Sequence, residues 1–391
     1  MNKAHTPACL RRSAPRFPPG RIYTRTLQAY PDANTEQTYA SDANRMPATA
    51  TRPLFAAYAP SPLNDASVPP FPGHEADEED DTKAGRVDLE YECPQASWAP
   101  IAPADPPDDC PVRFIDGSIK SKTVGSIIVG MRRRPLIAAA VSAAALELDG
   151  RSLKRGTGAR TAKVLAVHSN GIDEADLRDA FHALDAIGVK LLTSEVEAQG
   201  DFDTLRRTTR SIAMLAMEEA ERDVMLAEIT KPTLMDGLLE RRLAAQKHDV
   251  PVIGLVKRQM ATYLPAGLQE LTYSLQPGER TPAFVLETPQ HVTLVNTYAR
   301  LSSQTGASPS YGVVRVTVPL AYIDRQHRTD MPAYLSGLAG YLYRIRCRDL
   351  GYTRSGISVD PIVRCEDHLH AILPNLDALI PRLHRMFRSA A

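Results

Sequence analysis

Two aspartates of this chain each follow a short apolar run and precede a glycine, a pattern that can position carboxylates for metal chemistry. They are Asp116, after Phe114 and Ile115, and Asp236, after Leu234 and Met235. An Asp at the end of a buried strand projects beyond the sheet, and the following Gly lets the chain turn. Two such carboxylates on adjacent strands can share Mg²⁺ or Mn²⁺, which prefer hard oxygen ligands. Asp-Gly is also a common turn dipeptide, so an ordinary turn is the alternative at each position.

A long helix between the two aspartates offers a third acid. Residues 204–228 have helical spacing, and Glu219 falls inside the apolar arc when residues are placed at about 100° intervals. A carboxylate facing the core is costly unless it is paired or binds a metal. Glu219 is therefore the preferred third acid, with Glu218 as an alternative. The other interpretation is that a nearby arginine, Arg222 or Arg210, neutralises Glu219.

The elements that would position these acids begin near Val112. Short β-rich runs come first, and helices then alternate with strands up to a terminal helix that ends near Phe387. This order predicts an α/β fold with a mixed sheet and helices on both faces.

The residues before this region have a different composition. The first 110 residues contain 10 basic and 16 acidic residues and 17 of the 31 prolines, and Glu75–Asp81 holds six carboxylates. Proline-rich and acidic stretches of this kind do not build a packed core. We expect residues 1–108 to be a largely disordered extension, with short ordered patches near Arg21–Tyr30 and Val87–Trp98, and residues 109–391 to form the folded domain.

Several classes of protein do not fit the sequence. The five cysteines are scattered without a C-x-x-C pair, which argues against a zinc site or a disulfide framework and favours a reducing, cytoplasmic location. No apolar run reaches the roughly 20 residues that span a bilayer, and no secretory signal is predicted. The chain has no phosphate-binding P-loop, so ATP hydrolysis would have to come from a partner, and it has no G-x-S-x-G or H-E-x-x-H motif.

An Asp on a strand, a Glu on a helix and an Asp on a second strand are the arrangement of ribonuclease H-like nucleases, and residues 112–391 resemble the NurA nuclease family more narrowly. The matching pieces are Phe114–Ser118 (FIDGS), Leu234–Leu238 (LMDGL), Ile253–Lys257 (IGLVK), Gly312–Pro319 (GVVRVTVP) and the C-terminal Pro361-x6-His368-Leu369-x-Ala371. The family usually has Ser at the position of Leu238.

The resemblance implies a ribonuclease H-like fold and a manganese-dependent DNA nuclease. Such enzymes degrade DNA ends 5′→3′, cut single strands and act in end resection with the hexameric ATPase HerA, and they are homodimers. By motif, Asp116, Glu219 (or Glu218) and Asp236 correspond to the metal-binding acids, holding two Mn²⁺ or Mg²⁺ ions. His368 resembles the family's C-terminal fourth ligand, with Asp367 and His370 as alternatives, and Lys257 resembles the lysine that contacts the scissile phosphate.

Two other functions remain open on the sequence alone. One is a ribonuclease H-like or PIWI-like module that binds nucleic acid without cutting it. The other is a nuclease that acts on RNA.

Overall fold

The structure is a computed structural model that describes residues 53–63, 85–196, 200–243, 249–257, 263–304, 307–348 and 355–388. Most of the expected N-terminal extension, including the patch near Arg21–Tyr30 and the acidic run Glu75–Asp81, lies outside these residues.

The described residues form an α/β fold with one large mixed sheet. The strands are β1 (Ser61–Pro62), β2 (Val87–Asp88), β3 (Arg113–Val129), β4 (Arg132–Asp149), β5 (Ser152–Arg155), β6 (Arg160–His168), β7 (Lys190–Ser194), β8 (Thr233–Asp236), β9 (Val252–Val256), β10 (Phe284–Glu287), β11 (Thr293–Arg300) and β12 (Val313–Pro319). The helices are α1 (Glu174–Asp185), α2 (Phe202–Ala227), α3 (Glu240–Leu243), α4 (Ala266–Ser274), α5 (Leu320–Gln326), α6 (Met331–Arg344), α7 (Asp360–Ile372) and α8 (Leu376–Phe387).

Strand order in this sheet is β2-β10-β11-β12-β9-β8-β3-β4-β6-β7, with β1 added to β3 and β5 added to β4. The long strands β3, β4 and β6 are antiparallel neighbours, whereas β8 and β9 run parallel to β3. The sheet is therefore mixed, as the order of elements in the sequence predicts.

Successive side chains of the central strands pack in two separate cores, because successive residues of a strand point to opposite faces. Phe114 and Leu234 belong to the core that includes Ile362 of α7 and residues of α6. Ile115 and Met235, the next residues, pack in the core that includes residues of α2. Helices α7 and α2 thus cover opposite faces of β3 and β8.

Strand β3 is longer than the sequence indicated. We expected the first strand to end at Asp116, but β3 continues through Asp116 and Gly117 to Val129, paired with β4 along its length. The chain does not turn at Gly117. What ends near Asp116 is the pairing of β3 with β8, whose last pair is Ile115 with Met235.

Parts of the expected extension pack against the domain. Leu54 donates its backbone N–H to the carbonyl of Met386 in α8, at 2.8 Å, and is buried. Strand β2 extends the sheet beside β10, which agrees with the ordered patch predicted near Val87–Trp98. Ile101 exchanges backbone hydrogen bonds with Arg280. Residues 85–108 therefore belong to the folded unit, although their composition alone predicted a largely disordered segment.

An ion pair that is almost completely buried joins this segment to the sheet. Arg280 is fully buried, and its guanidinium donates to both carboxylate oxygens of Glu92 at 2.7 and 2.8 Å. Glu92 also accepts a hydrogen bond from the backbone N–H of Ala283.

In the part of the chain that is described, no helix has both the length and the apolar character needed to cross a membrane.

Replacing Glu92 by Gln should lower the free energy of unfolding by about 3 kcal/mol or more, since Arg280 would remain buried without its opposite charge. Urea denaturation of the full-length protein measures this. The matched control is Glu90→Gln, an exposed position two residues away. Equal unfolding midpoints for the two variants would show that the segment contributes nothing to the stability of the domain.

Candidate metal centre

Neighbouring parallel strands bring Asp116 and Asp236 together. Ile115 pairs with Met235, so the next residues, Asp116 and Asp236, lie side by side. Both point to the face covered by α7, as do Phe114 and Leu234 two residues earlier. The prediction that the two Asp-Gly positions meet at one place on the sheet is thus confirmed in the geometry.

The third acid of the cluster is Glu366, which comes from α7. Oxygens of Asp116, Asp236 and Glu366 lie within 4.8 Å of one another, and Asp116 is buried. Ile362, Cys365 and Leu369 are the buried residues of α7 that face the sheet. Glu366 is four residues after Ile362 and three before Leu369, so it lies on that same face. The three carboxylates could hold a metal ion.

Lys257 completes the cluster from the residue after β9. Its Nζ lies 2.8 Å from Oδ2 of Asp236 and 3.6 Å from Oε1 of Glu366, and its side chain is 6% exposed. The ammonium of Lys257 therefore pairs with two of the three carboxylates. The all-oxygen donor set of the three acids fits a hard divalent cation.

Burial and mutual repulsion govern the protonation of this cluster. Burial, and then the charge of Asp236, raise the pKa of Asp116 well above the usual range of an aspartate. Burial alone would lower the pKa of Lys257, but Asp236, Asp116 and Glu366 outweigh it and raise that pKa. Lys257 therefore stays protonated, and a bound cation would favour the ionised form of Asp116.

The acids of α2 are arranged differently from the expectation. Glu219 is half-exposed and pairs with Lys190 of β7 at 2.6 Å and with Arg222 at 3.8 Å. Strand β7 lies three places from β3 in the sheet, so the structure does not bring Glu219 to Asp116. The alternative for Glu219 was neutralisation by a nearby arginine. The structure shows this pairing with Arg222, together with a closer one to Lys190.

Two other glutamates of α2 are the buried ones. Glu218, the named alternative, is bound by Arg241 at 2.8 Å, and Glu221 is bound by Arg242 at 2.5 Å. Glu221 lies closer to the cluster, since its charge contributes to raising the pKa of Asp116. A Cβ on Gly117 would lie 2.3 Å from Oε1 of Glu221, so the glycine allows this close approach. The helical projection therefore predicted the wrong buried acid in α2. Salt bridges to arginines allow Glu218 and Glu221 to face the sheet.

His368 also lies apart from the three acids. It is two residues beyond Glu366, which turns it about 200° around the helix. Burial, and then the charge of Arg155 on β5, lower the pKa of His368, which places it beside a cation. The alternatives Asp367 and His370 are exposed. The C-terminal acid of the cluster is Glu366 instead, and its position within the stripe Ile362, Cys365 and Leu369 was the signal that could have identified it.

Comparison with models of known protein families finds none that matches this chain, and comparison with curated proteins finds no match. The resemblance to NurA nucleases therefore stays a prediction.

Adding Mn²⁺ to the metal-free protein should raise its melting temperature, because a ligand that binds only the folded state stabilises it. Glu366→Gln should remove most of this increase, whereas His368→Gln should keep it. Differential scanning calorimetry of the three proteins, with and without Mn²⁺, distinguishes the two positions. Asp116→Asn should also melt a few degrees higher than the wild type without metal at pH 8, because a carboxyl whose pKa is raised by folding lowers stability once the pH exceeds its pKa in the unfolded chain, and asparagine does not titrate.

A larger Mn²⁺ response in Glu366→Gln than in His368→Gln would assign the C-terminal ligand to the histidine.

Proposed function

We propose that the protein is a metal-dependent nuclease that hydrolyses phosphodiester bonds in DNA, with Asp116, Asp236 and Glu366 as its metal ligands. The observation that carries this proposal is the convergence of three carboxylates and a buried lysine on one face of the sheet. Groups of this kind are costly to bury unless they have a cation to bind. Perturbed ionisable groups held close together by rigid elements are typical of functional sites.

The arrangement of strands around the cluster supports a ribonuclease H-like interpretation of the sheet. Strands β3, β4 and β6 form an antiparallel meander, and β8 and β9 continue the sheet in parallel on the other side of β3. The first two acids of the motif are on β3 and β8, as the resemblance to NurA nucleases implies. The departure is the third ligand, which comes from α7 rather than from α2.

Each residue of the cluster has a distinct part in this chemistry. The oxygens of Asp116, Asp236 and Glu366 would hold the cation. Mn²⁺ or Mg²⁺ bound there, as one ion or two, supplies Lewis acidity and a water of lowered pKa. Lys257 keeps its proton because its pKa is raised, and its ammonium stabilises the negative charge that develops on the phosphoryl oxygens. Strands β3 and β8 fix Asp116 and Asp236 before substrate arrives, which reduces the reorganisation needed during the reaction.

A non-cleaving nucleic-acid-binding module is the second candidate. The observation that favours it is that the structure leaves the expected Glu219 outside the cluster, with Lys190 and Arg222 as its partners. A nuclease acting on RNA is distinguished by offering single-stranded RNA and DNA of one sequence to the same preparation.

Asp116→Ala and Asp236→Ala should each abolish the digestion of single-stranded DNA in Mn²⁺, because each removes a metal ligand. Lys257→Gln should lower the rate constant by about 10²-fold or more while the oligonucleotide is still bound. Product formation from a labelled oligonucleotide measures these rates, with Glu219→Gln as a control expected to cleave like the wild type. Near-normal cleavage by Asp116→Ala would refute the assignment of the site, and absence of cleavage by the wild type on DNA and RNA would favour the binding module.

The 5′→3′ polarity, the HerA-type ATPase partner and the homodimer are proposed from the resemblance. The chain has no P-loop, so directed movement along duplex DNA would depend on a separate ATPase. The protein alone should nick and digest single strands, and the cognate ATPase with ATP should convert this into long-range duplex digestion. A pull-down and a digestion time course test this, and unchanged duplex digestion without complex formation would indicate a nuclease that acts alone.

A further inference from the structure

Two lysines follow Asp116 along the same face of β3. The pairing of β3 with β4 is regular from Arg113 to Thr123, so Lys120 and Lys122 point to the same face as Asp116. At about 3.3 Å per residue they lie roughly 13 and 20 Å along the strand from Asp116. The step between them, about 6.6 Å, is similar to the distance between neighbouring phosphates of an extended single strand.

Both lysines share one anion of the protein, the carboxylate of Asp377 at the start of α8. The Nζ atoms of Lys120 and Lys122 lie 3.7 and 3.1 Å from its oxygens. Lys122, and then Lys120, lower the pKa of Asp377, so the carboxylate is charged. Its side chain is 60% exposed and that of Lys120 is 53% exposed. An anion that is this accessible to water can be displaced by a competing one at little cost.

A cavity of about 270 Å³ opens beside this group. Its lining includes the polar residues Lys122, Thr123, Asp377 and His384 and the apolar residues Leu63, Ile380 and Pro381. The Nε2 atom of His384 lies 2.9 Å from the carbonyl oxygen of Val124, which accepts a hydrogen bond from it. The cavity therefore offers the ammonium of Lys122 to an incoming oxyanion.

We propose that Lys120, Lys122 and this cavity bind the phosphate groups of a single-stranded polynucleotide on one side of the cleavage site, and that Asp377 occupies the phosphate position until the substrate displaces it. This inference rests on the proposed function, because Asp116 marks the reaction centre from which the line of lysines starts. Lysines bind phosphates as point charges. Contacts of this type position the strand without reading its sequence.

The test is the salt dependence of binding to a fluorescein-labelled single-stranded 12-mer, measured by anisotropy in EDTA so that no cleavage occurs. Each phosphate contact in a single strand contributes about −0.7 to the slope of log K against log salt concentration. The Lys120→Gln/Lys122→Gln double variant should therefore show a slope shallower by about 1.4. Asp377→Asn should bind several-fold more tightly than the wild type, because the competing anion is gone.

Arg325→Gln is the matched control, since Arg325 is similarly exposed and also pairs with an aspartate, Asp249. It should bind like the wild type, and thermal melts establish that all variants are folded. The proposal is overturned if the double variant has the slope of Arg325→Gln, or if Asp377→Asn binds no more tightly than the wild type.

The two proposals fail in different ways. Lysine-dependent binding without any metal-dependent cleavage would overturn the nuclease function and leave the phosphate site standing. If the wild type cleaves in Mn²⁺ but the double variant has an unchanged slope of log K against log salt concentration, the phosphate site would be overturned and the nuclease function would stand.

Discussion

Repulsion among Asp116, Asp236 and Glu366 is the constraint on which the central part of this structure depends. Two unit charges about 5 Å apart repel by about 3 kcal/mol at an effective dielectric constant of 20, and burial adds to the cost. Lys257 offsets part of this, and burial, followed by the charge of Asp236, raises the pKa of Asp116. The backbone must therefore hold the carboxylates in place. It does so by fixing two of them on paired strands whose preceding residues, Phe114 and Leu234, are completely buried.

Alternation along the strands decides which helix can complete the site. Asp116 and Asp236 share a face with Phe114 and Leu234, and α7 covers that face. Helix α2 packs against Ile115 and Met235 on the other face. Its buried glutamates are therefore satisfied by Arg241 and Arg242, which is a stable arrangement for a carboxylate without a metal.

The features that depend on local order could be predicted from the sequence, whereas those that depend on contacts between distant elements could not. The mixed α/β sheet, the long helix α2 and the meeting of Asp116 with Asp236 were predicted, because strand and helix periods and the Asp-Gly pattern are local signals. Lys257 was singled out by the resemblance to NurA nucleases, and the structure places it against Asp236. Glu219 was preferred on a helical projection, which cannot tell whether an acid on the buried side has an arginine from another element. Glu366 was missed because two neighbouring histidines and an aspartate offered more conspicuous ligands than a glutamate on an apolar stripe.

The segment 85–108 shows why composition alone underestimated the folded unit. Prolines prevent this stretch from forming a core of its own, but they do not prevent it from packing on a core built by others. Val87 and Trp98 pack against the cluster of Phe284 and Tyr298, and Glu92 meets Arg280 beneath them.

Helix α6, against which the segment 85–108 packs, has a matching feature in its sequence. A Cβ on Gly337 or Gly340 would lie 2.5 Å from a backbone carbonyl of this segment, that of Asp105 or of Ala104. Two glycines three residues apart in the interior of a helix weaken it, by about 1 kcal/mol each relative to alanine. Their presence is explained when the extended chain lies directly against the helix. The sequence thus contains a sign of this packing some 230 residues away from the segment. Considered with their neighbours in the sequence alone, the two glycines only weaken a helix.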